Sequence, residues 1–343
     1  MHAILSVTDS SSTRFRVLQE LTMPHLSRRS FVSATLGGLA LTTTQPVAAR
    51  TRSARKYPYI DIHTHLGTFY WGKSLLPEEL VKMMDVHGVE KACILPLVSP
   101  EAGPFPQTSE QAIAACELFP DRLIPFCCID PRCCTLPPLR PAHVVGKNGI
   151  RDMLKRYQDL GCRGVGEHKT GLAFDHPHQM LLYEACAEVG FPILFHLDDI
   201  RNPDTPGLPR LENVLKAFPK LNLIGHAAGF WASISGDATI EDFGRYPEIP
   251  KKVTPGGALD RLMDTYPNLF CDLSEPGGEK ALTRDREFAR EFLIRRADRL
   301  LFGTDFLMTG QTVAQFELLD SFNLPDDVQR KIFRDNALAL LKL

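Results

Sequence analysis

The run Asp61-Ile62-His63-Thr64-His65 sets two imidazoles two residues apart, behind a carboxylate. Successive side chains of an extended backbone alternate faces, so both rings and Asp61 are expected on one side. Imidazole is the commonest metal ligand among side chains, and Asp61 on the same face could orient a ligand ring. A lone pair is weak evidence, because histidines also satisfy hydrogen bonds in cores. The pair gains weight from ionisable residues that close other short apolar runs. Glu167, His168 and Lys169 follow Gly164-Val165-Gly166; His196 follows Pro192-Ile193-Leu194-Phe195; His226 follows Leu223-Ile224-Gly225; Asp305 follows Leu301-Phe302-Gly303-Thr304. Such groups are costly to bury unpaired, and a shared divalent cation accounts for several at once.

These residues need a scaffold that brings the ends of many short runs together. From Tyr57 onward, apolar β-branched runs alternate with segments of helical period, the pattern of a parallel sheet built from βα units. Eight strands are expected: Tyr59–His65, Lys91–Val98, Arg122–Ile129, Arg163–His168, Pro192–Leu197, Asn222–His226, Leu269–Ser274 and Leu300–Phe306. Helices are expected between them, among them Pro77–His87, Ile150–Leu160, His178–Val189, Leu208–Phe218, Leu259–Tyr266 and Arg284–Arg295. Eight such repeats predict an α/β fold, a single (β/α)8 TIM barrel, whose strand ends share one mouth. An open doubly wound sheet would bring a glycine-rich phosphate loop after its first strand, where this chain has two histidines. The irregular stretch Phe230 to Gly257 is expected over the active face.

The motifs at 61–65, 195–196, 225–226 and 303–305, with Asn336-Ala337 late in the chain, resemble the amidohydrolase superfamily, in its amidohydrolase-related branch of metal-dependent hydrolase barrels. The resemblance runs from Tyr57 to the C-terminus. It implies His63, His65, His196 and Asp305 as metal ligands and His226 as a second ligand or an acid/base. Binuclear members often place a carbamylated lysine on the fourth strand, where this chain offers Glu167, His168 and Lys169. Parity alone leaves open which of them faces inward; Glu167 is favoured, as a bridging ligand or as a carboxylate near the substrate. One ion is the default, with a second through Glu167 left open.

Three imidazoles and a carboxylate with an open position suit Zn²⁺ above all, with Mn²⁺, Fe²⁺ and Ni²⁺ also open. Water on such an ion has its pKa lowered toward about 7. The expected activity is therefore metal-assisted hydrolysis of an amide, lactone or ester carbonyl of a small molecule, with Asp305 moving the proton and His226 holding the water or polarising the carbonyl. Decarboxylation of an aromatic or muconate-type acid on the same site is the alternative, and a catalytically silent binding barrel a third. Phe69, Tyr70 and Trp71 could wall a pocket. Arg132, Arg201 and the pair Asp198-Asp199 follow strands, and a cationic residue there would suit a carboxylate.

The chain has 343 residues, 44% hydrophobic and 23% charged, with formal net charge −2, as soluble enzymes have. Lys and Arg form no long run beyond the first 56 residues, so nucleic acid is not an expected partner. A homo-oligomer is left open. Residues 1–49 are read as an export signal and 50–343 as the barrel. Arg28-Arg29 precedes the mildly apolar stretch Phe31 to Leu41, and Pro46-Val47-Ala48-Ala49 supplies small residues for cleavage, an order that resembles a twin-arginine signal. The expected destination is the periplasm or another extracytoplasmic space. Met23 offers an alternative start. The apolar stretch is too short to span a bilayer, and no span is expected in the mature protein. The nine cysteines lack regular CxxC pairs and are read as free thiols, with pairing through Cys133 or Cys134 open.

Overall fold

The computed structural model describes residues 56–69, 73–134, 146–245 and 252–343. The export segment, Tyr70 and Trp71 lie outside the described residues. Eight parallel strands appear in the expected order: β1 (Tyr59–Thr64), β2 (Val89–Ile94), β3 (Leu123–Pro125), β4 (Val165–His168), β5 (Ile193–His196), β6 (Leu223–His226), β7 (Leu269–Asp272) and β8 (Leu300–Leu301). They form two sheets, β1-β2-β3 and β4-β5-β6-β7-β8. Single parallel bridges join these at both seams, Cys127 with Val165 and Thr64 with Phe306. Backbone bonds from Ile62 N to Phe302 O, Asp305 N to His63 O and His65 N to Phe306 O extend the second seam. The result is the TIM-barrel architecture.

Local chemistry explains the elements. The helix Pro177–Val189 starts with proline at its first position, where no N–H is needed, and ends at Gly190, whose φ of 80° suits a residue without Cβ. The helix Ser109–Leu118 was not among the expected ones, yet its signal is present: Thr108 accepts from Gln111 N, and the Gln111 side chain accepts from Thr108 N. β8 ends at Leu301, short of the run that predicts it through Phe306, and Asp305 within that run adopts φ 51°, outside extended geometry.

Two apolar layers hold the barrel. The inner one is drawn almost wholly from strands, with Ile60, Ile62, Leu95, Phe126, Leu194, Ile224 and Leu301; Ala337 and Leu341 of the last helix join it. Asn336 secures that helix by donating to the carbonyls of Ala297 and Leu300. The outer layer lies between strands and helices and includes Tyr59 stacked on Phe302. All nine cysteines are free thiols, and Cys133 alone is exposed. No helix among the described residues is long and apolar enough to cross a membrane.

Candidate metal centre

The ends of β1, β4, β5, β6 and β7 and the turn after β8 converge on one buried cluster of imidazoles and carboxylates. His63 Nε2 and His65 Nε2 stand 3.1 Å apart. Asp305 Oδ1 lies 3.5 Å from the first and 3.3 Å from the second. Tetrahedral ligands bonded to one ion at about 2.0–2.1 Å sit roughly 3.3–3.4 Å from one another, so this triangle has the edge lengths of a coordination site.

Hydrogen bonding sets which atoms face that point. His65 Nδ1 is 2.8 Å from the carbonyl of Leu95, which can only accept, so Nδ1 carries the proton and Nε2 the lone pair. His63 Nδ1 is 2.6 Å from Asp272 Oδ2, with the same consequence. Two lone pairs and a carboxylate oxygen thus meet, an arrangement that repels itself unless positive charge lies among them. Burial opposes a charge on His63, yet Asp305 and Asp272 hold its proton affinity well above the ordinary value. Burial likewise works against ionisation of Asp305, and His63, His65 and His226 outweigh it, holding the carboxyl well below its usual range.

Glu167 is the hub of the second half. Its Oε1 lies 2.8 Å from His196 Nδ1 and 3.7 Å from His226 Nε2, and its Oε2 accepts from Lys169 Nζ at 2.9 Å. Glu167 and Lys169 both face the centre; His168 turns outward and pairs with Gln179 against the helix Pro177–Val189. His63, Glu167 and His226 offer ligand atoms within 4.8 Å of one another, as do His63, His65 and Asp305.

His226, Glu275 and Asp305 form a third such group, and His196 is gathered into none of the three. Its Nδ1 faces Glu167, and its Nε2 is 2.9 Å from Asp198 Oδ2, which also accepts from Arg201 at 2.7 Å. His226 sits behind the cavity wall, almost fully buried, with Nδ1 3.1 Å from Asp272 Oδ2 and Nε2 3.5 Å from Glu275 Oε2. Asp61 departs from the expected position. The strand loses regular register between Asp61 and Thr64, and the Asp61 carboxylate turns to the backbone. It accepts from His63 N, Thr304 N and Thr304 Oγ1 and touches no ring, so it ties β1 to the turn bearing Asp305. Burial pushes its carboxyl up to about 7 against those bonds.

Two participants were not foreseen. Asp272 closes β7 after Leu269-Phe270-Cys271, the same pattern that drew attention to the other strand ends, and it orients both His63 and His226 with help from Ser274 Oγ. A Cβ on Gly303 would stand 2.4 Å from Asp272 Oδ1, which accounts for the glycine before Thr304-Asp305. Glu275 begins the next helix at φ 65° and had no sequence signal of its own.

Above the cluster opens a cavity of about 690 Å³. Asp305, His196, Lys169 and Glu275 reach it from the cluster; Phe69, Leu97, Phe105 and Leu307 give it apolar wall. Gly244 and Arg245, from the irregular stretch after β6, contribute to the rim as expected. Arg201 and Lys280 add positive charge. Arg132 does not line it, being forked onto Glu101 and Asp130.

The family model for amidohydrolases matches residues 60–343. No curated protein matches the chain. Solved structures share the fold at low identity. An uncharacterized TIM-barrel protein of Bordetella bronchiseptica is 17% identical with a TM-score of 0.56, the match covering 83% of this chain and 98% of that one. A candidate 2-pyrone-4,6-dicarboxylic acid hydrolase of Pseudomonas putida is 15% identical, also with a TM-score of 0.56, over 83% and 97%. The 5-carboxyvanillate decarboxylase of Novosphingobium aromaticivorans, solved with manganese, is 15% identical with a TM-score of 0.51, over 84% and 97%.

Proposed function

Since the chain belongs to the amidohydrolase family of metal-dependent enzymes, we propose that it hydrolyses an amide, lactone or ester of a small molecule with one divalent cation held by His63, His65 and Asp305. The observation that carries this reading is the buried triangle of two imidazole nitrogens and a carboxylate oxygen, with edges of 3.1, 3.3 and 3.5 Å. Two imidazoles and a carboxylate fit Zn²⁺ best by ligand type, and Mn²⁺, present in the related decarboxylase, is the other candidate. His196, the fourth ligand implied by the motif, has its two ring nitrogens engaged by Glu167 and Asp198 and joins them by giving up one of those bonds. When bound, the cation supplies Lewis acidity, polarising a carbonyl and making a water more acidic.

The chain's own groups handle the rest. Asp305 is ionised and open to the cavity, so it accepts the proton of the attacking water and returns it to the leaving atom. His226, anchored by Asp272, acts behind Glu275, the carboxylate between it and the cavity. Phe69 and Phe105 pack a planar substrate and exclude water.

Decarboxylation remains the second reading, favoured by the cationic side chains of the cavity, which suit an acid substrate. Elemental analysis of the native enzyme, followed by a panel of lactones, amides and aromatic acids, separates the readings. Metal together with water addition is the expected result. Release of carbon dioxide without water uptake selects the second reading, and a fully active metal-free enzyme refutes both.

Residues 1–49 are read as a twin-arginine export signal, supported by Arg28-Arg29 and the apolar stretch after them. A reporter fusion carrying Arg28→Lys and Arg29→Lys should lose export to the periplasm; unchanged export would contradict the reading.

A further inference from the structure

A second cavity, of about 530 Å³, is lined by the ends of β1 and β2 and by the helices Pro77–His87 and Ser109–Leu118. Thr68 and Phe105 line both cavities and so form the partition between them. Two loops shape the second one, and each is pinned by a pair of backbone bonds at 2.8 and 2.9 Å, Gly67 with Leu75 and Leu97 with Gln107. The backbone around the space is thus held in place. Its character differs from that of the cavity over the metal centre. None of the described side chains that line it is charged, and Leu66, Leu75, Ile94, Leu95 and Ala112 make it largely apolar.

Most polar groups of this chamber have partners. Thr68 Oγ1 and Ser74 Oγ pair at 2.5 Å, and Thr108 and Gln111 exchange the two bonds that cap their helix. Gln107 is the exception: it is 7% exposed, yet its carboxamide nitrogen has no hydrogen-bond partner among the described residues. A buried amide is costly to leave unpaired, so a group that completes it gains affinity. We propose that the chamber is a second subsite that takes an uncharged, mainly apolar arm of the substrate, with Gln107 bonding one neutral polar group on that arm. The inference rests on the hydrolytic reading above. The reacting head sits over the metal centre among charged side chains, and the arm reaches past Thr68 and Phe105 into the chamber. A terminal amide turns about its last bond at little cost, so Gln107 presents either a donor or an acceptor, and an amide on the arm satisfies both. An ionised arm does not fit, because no described lining residue offers a counter-charge and an unpaired buried charge is expensive. The volume is that of a small-molecule site and holds a substituted ring.

Acetanilide, a ring bearing one neutral amide, probes the chamber without turnover. Ligand-observed NMR titration of the full-length protein should give saturable binding to the wild type, weakened about tenfold in Gln107→Leu, which keeps the bulk and removes the amide. Ala112→Leu fills the chamber from its helix wall and should abolish binding; Leu76→Trp, at an exposed position on the rim, replaces it if it does not fold. In hydrolysis, kcat/KM for para-acetamidobenzyl acetate should exceed that for ethyl acetate by about tenfold or more in the wild type, and the two should approach parity in the filled variant. The ratio cancels any general loss of activity. No saturable binding of acetanilide to the wild type, equal affinity in wild type and folded variants, or equal kcat/KM for the two esters in the wild type overturns the inference and leaves the hydrolytic reading intact. Acetanilide binding that follows the variants, with hydrolysis of neither ester, supports the chamber as a binding site and counts against the hydrolytic reading instead.

Discussion

Asp305→Asn is expected to lose metal and activity together while the barrel stays folded. The substitution preserves the shape of the side chain and removes the one charge of the first trio. Without it, His63 and His65 present two neutral nitrogens, and the site's attraction for a divalent ion falls with the lost Coulomb term. A cation in such a role contributes several kcal/mol to transition-state stabilisation, and each 1.36 kcal/mol is tenfold in rate. Loss of kcat/KM on the order of 10³ follows. Asp305 also accepts the proton in the proposed hydrolysis, so saturating metal should restore occupancy but not rate. Folding should change little, because the backbone bonds that fix this turn, Asp305 N to His63 O and Gln311 Nε2 to Asp305 O, do not use the carboxylate. Metal content, kcat/KM and the thermal midpoint, measured on one preparation, check all three parts. An Asn variant that retains both its ion and its rate would refute Asp305 as ligand and base.

Much of the fold was legible because a parallel barrel buries each strand on both faces, and short continuous apolar runs stand out in sequence. The site was legible for a related reason. Each run ends where the barrel opens, so an ionisable residue closing an apolar run is already located at the mouth. That rule placed His63, His65, Glu167, His226 and Asp305 in one cluster. It would equally have found Asp272, whose run has the same form.

Other contacts of these residues have causes that lie outside the local sequence. Asp61 follows the alternation of an ideal strand only on paper; the irregular register after it hands the carboxylate to the backbone of Thr304 instead of a ring. His196 lies at its strand end as expected, but Glu167 and Asp198 compete for its two nitrogens, a contest between partners 29 and 2 residues away that no local pattern displays. Arg132 looked like a substrate cation and is consumed by Glu101, 31 residues distant. Glu275 enters the site through a left-handed backbone angle at a helix start, and β4 alone could not announce which of three consecutive polar residues would turn inward.

Asp272→Asn is expected to weaken the centre without removing a ligand, and it separates orientation from coordination. The Asp272 carboxylate takes a bond from His63 Nδ1 at 2.6 Å, stands 3.1 Å from His226 Nδ1 and receives Ser274 Oγ at 2.7 Å. It is fully buried, and although burial favours the neutral acid, His63 and His226 keep it ionised. That charge fixes the His63 tautomer and makes Nε2 a better donor to a cation. Asparagine can accept one such bond but carries no charge, and its NH₂ would confront a ring N–H if it turned the other way. Loss of such a partner costs about 10- to 100-fold in metal affinity. Because the ligands survive, kcat at saturating metal should recover far more fully than in Asp305→Asn. Alanine should be worse than asparagine in metal Kd, since it leaves the two buried imidazole donors only the Ser274 hydroxyl to share. The binding defect should also appear without turnover. Added Zn²⁺ or Mn²⁺ raises the wild-type thermal midpoint in proportion to the logarithm of ligand over Kd, and the same concentration should raise that of Asp272→Asn less. Equal metal affinity in wild type and both variants would show that His63 needs no orienting carboxylate.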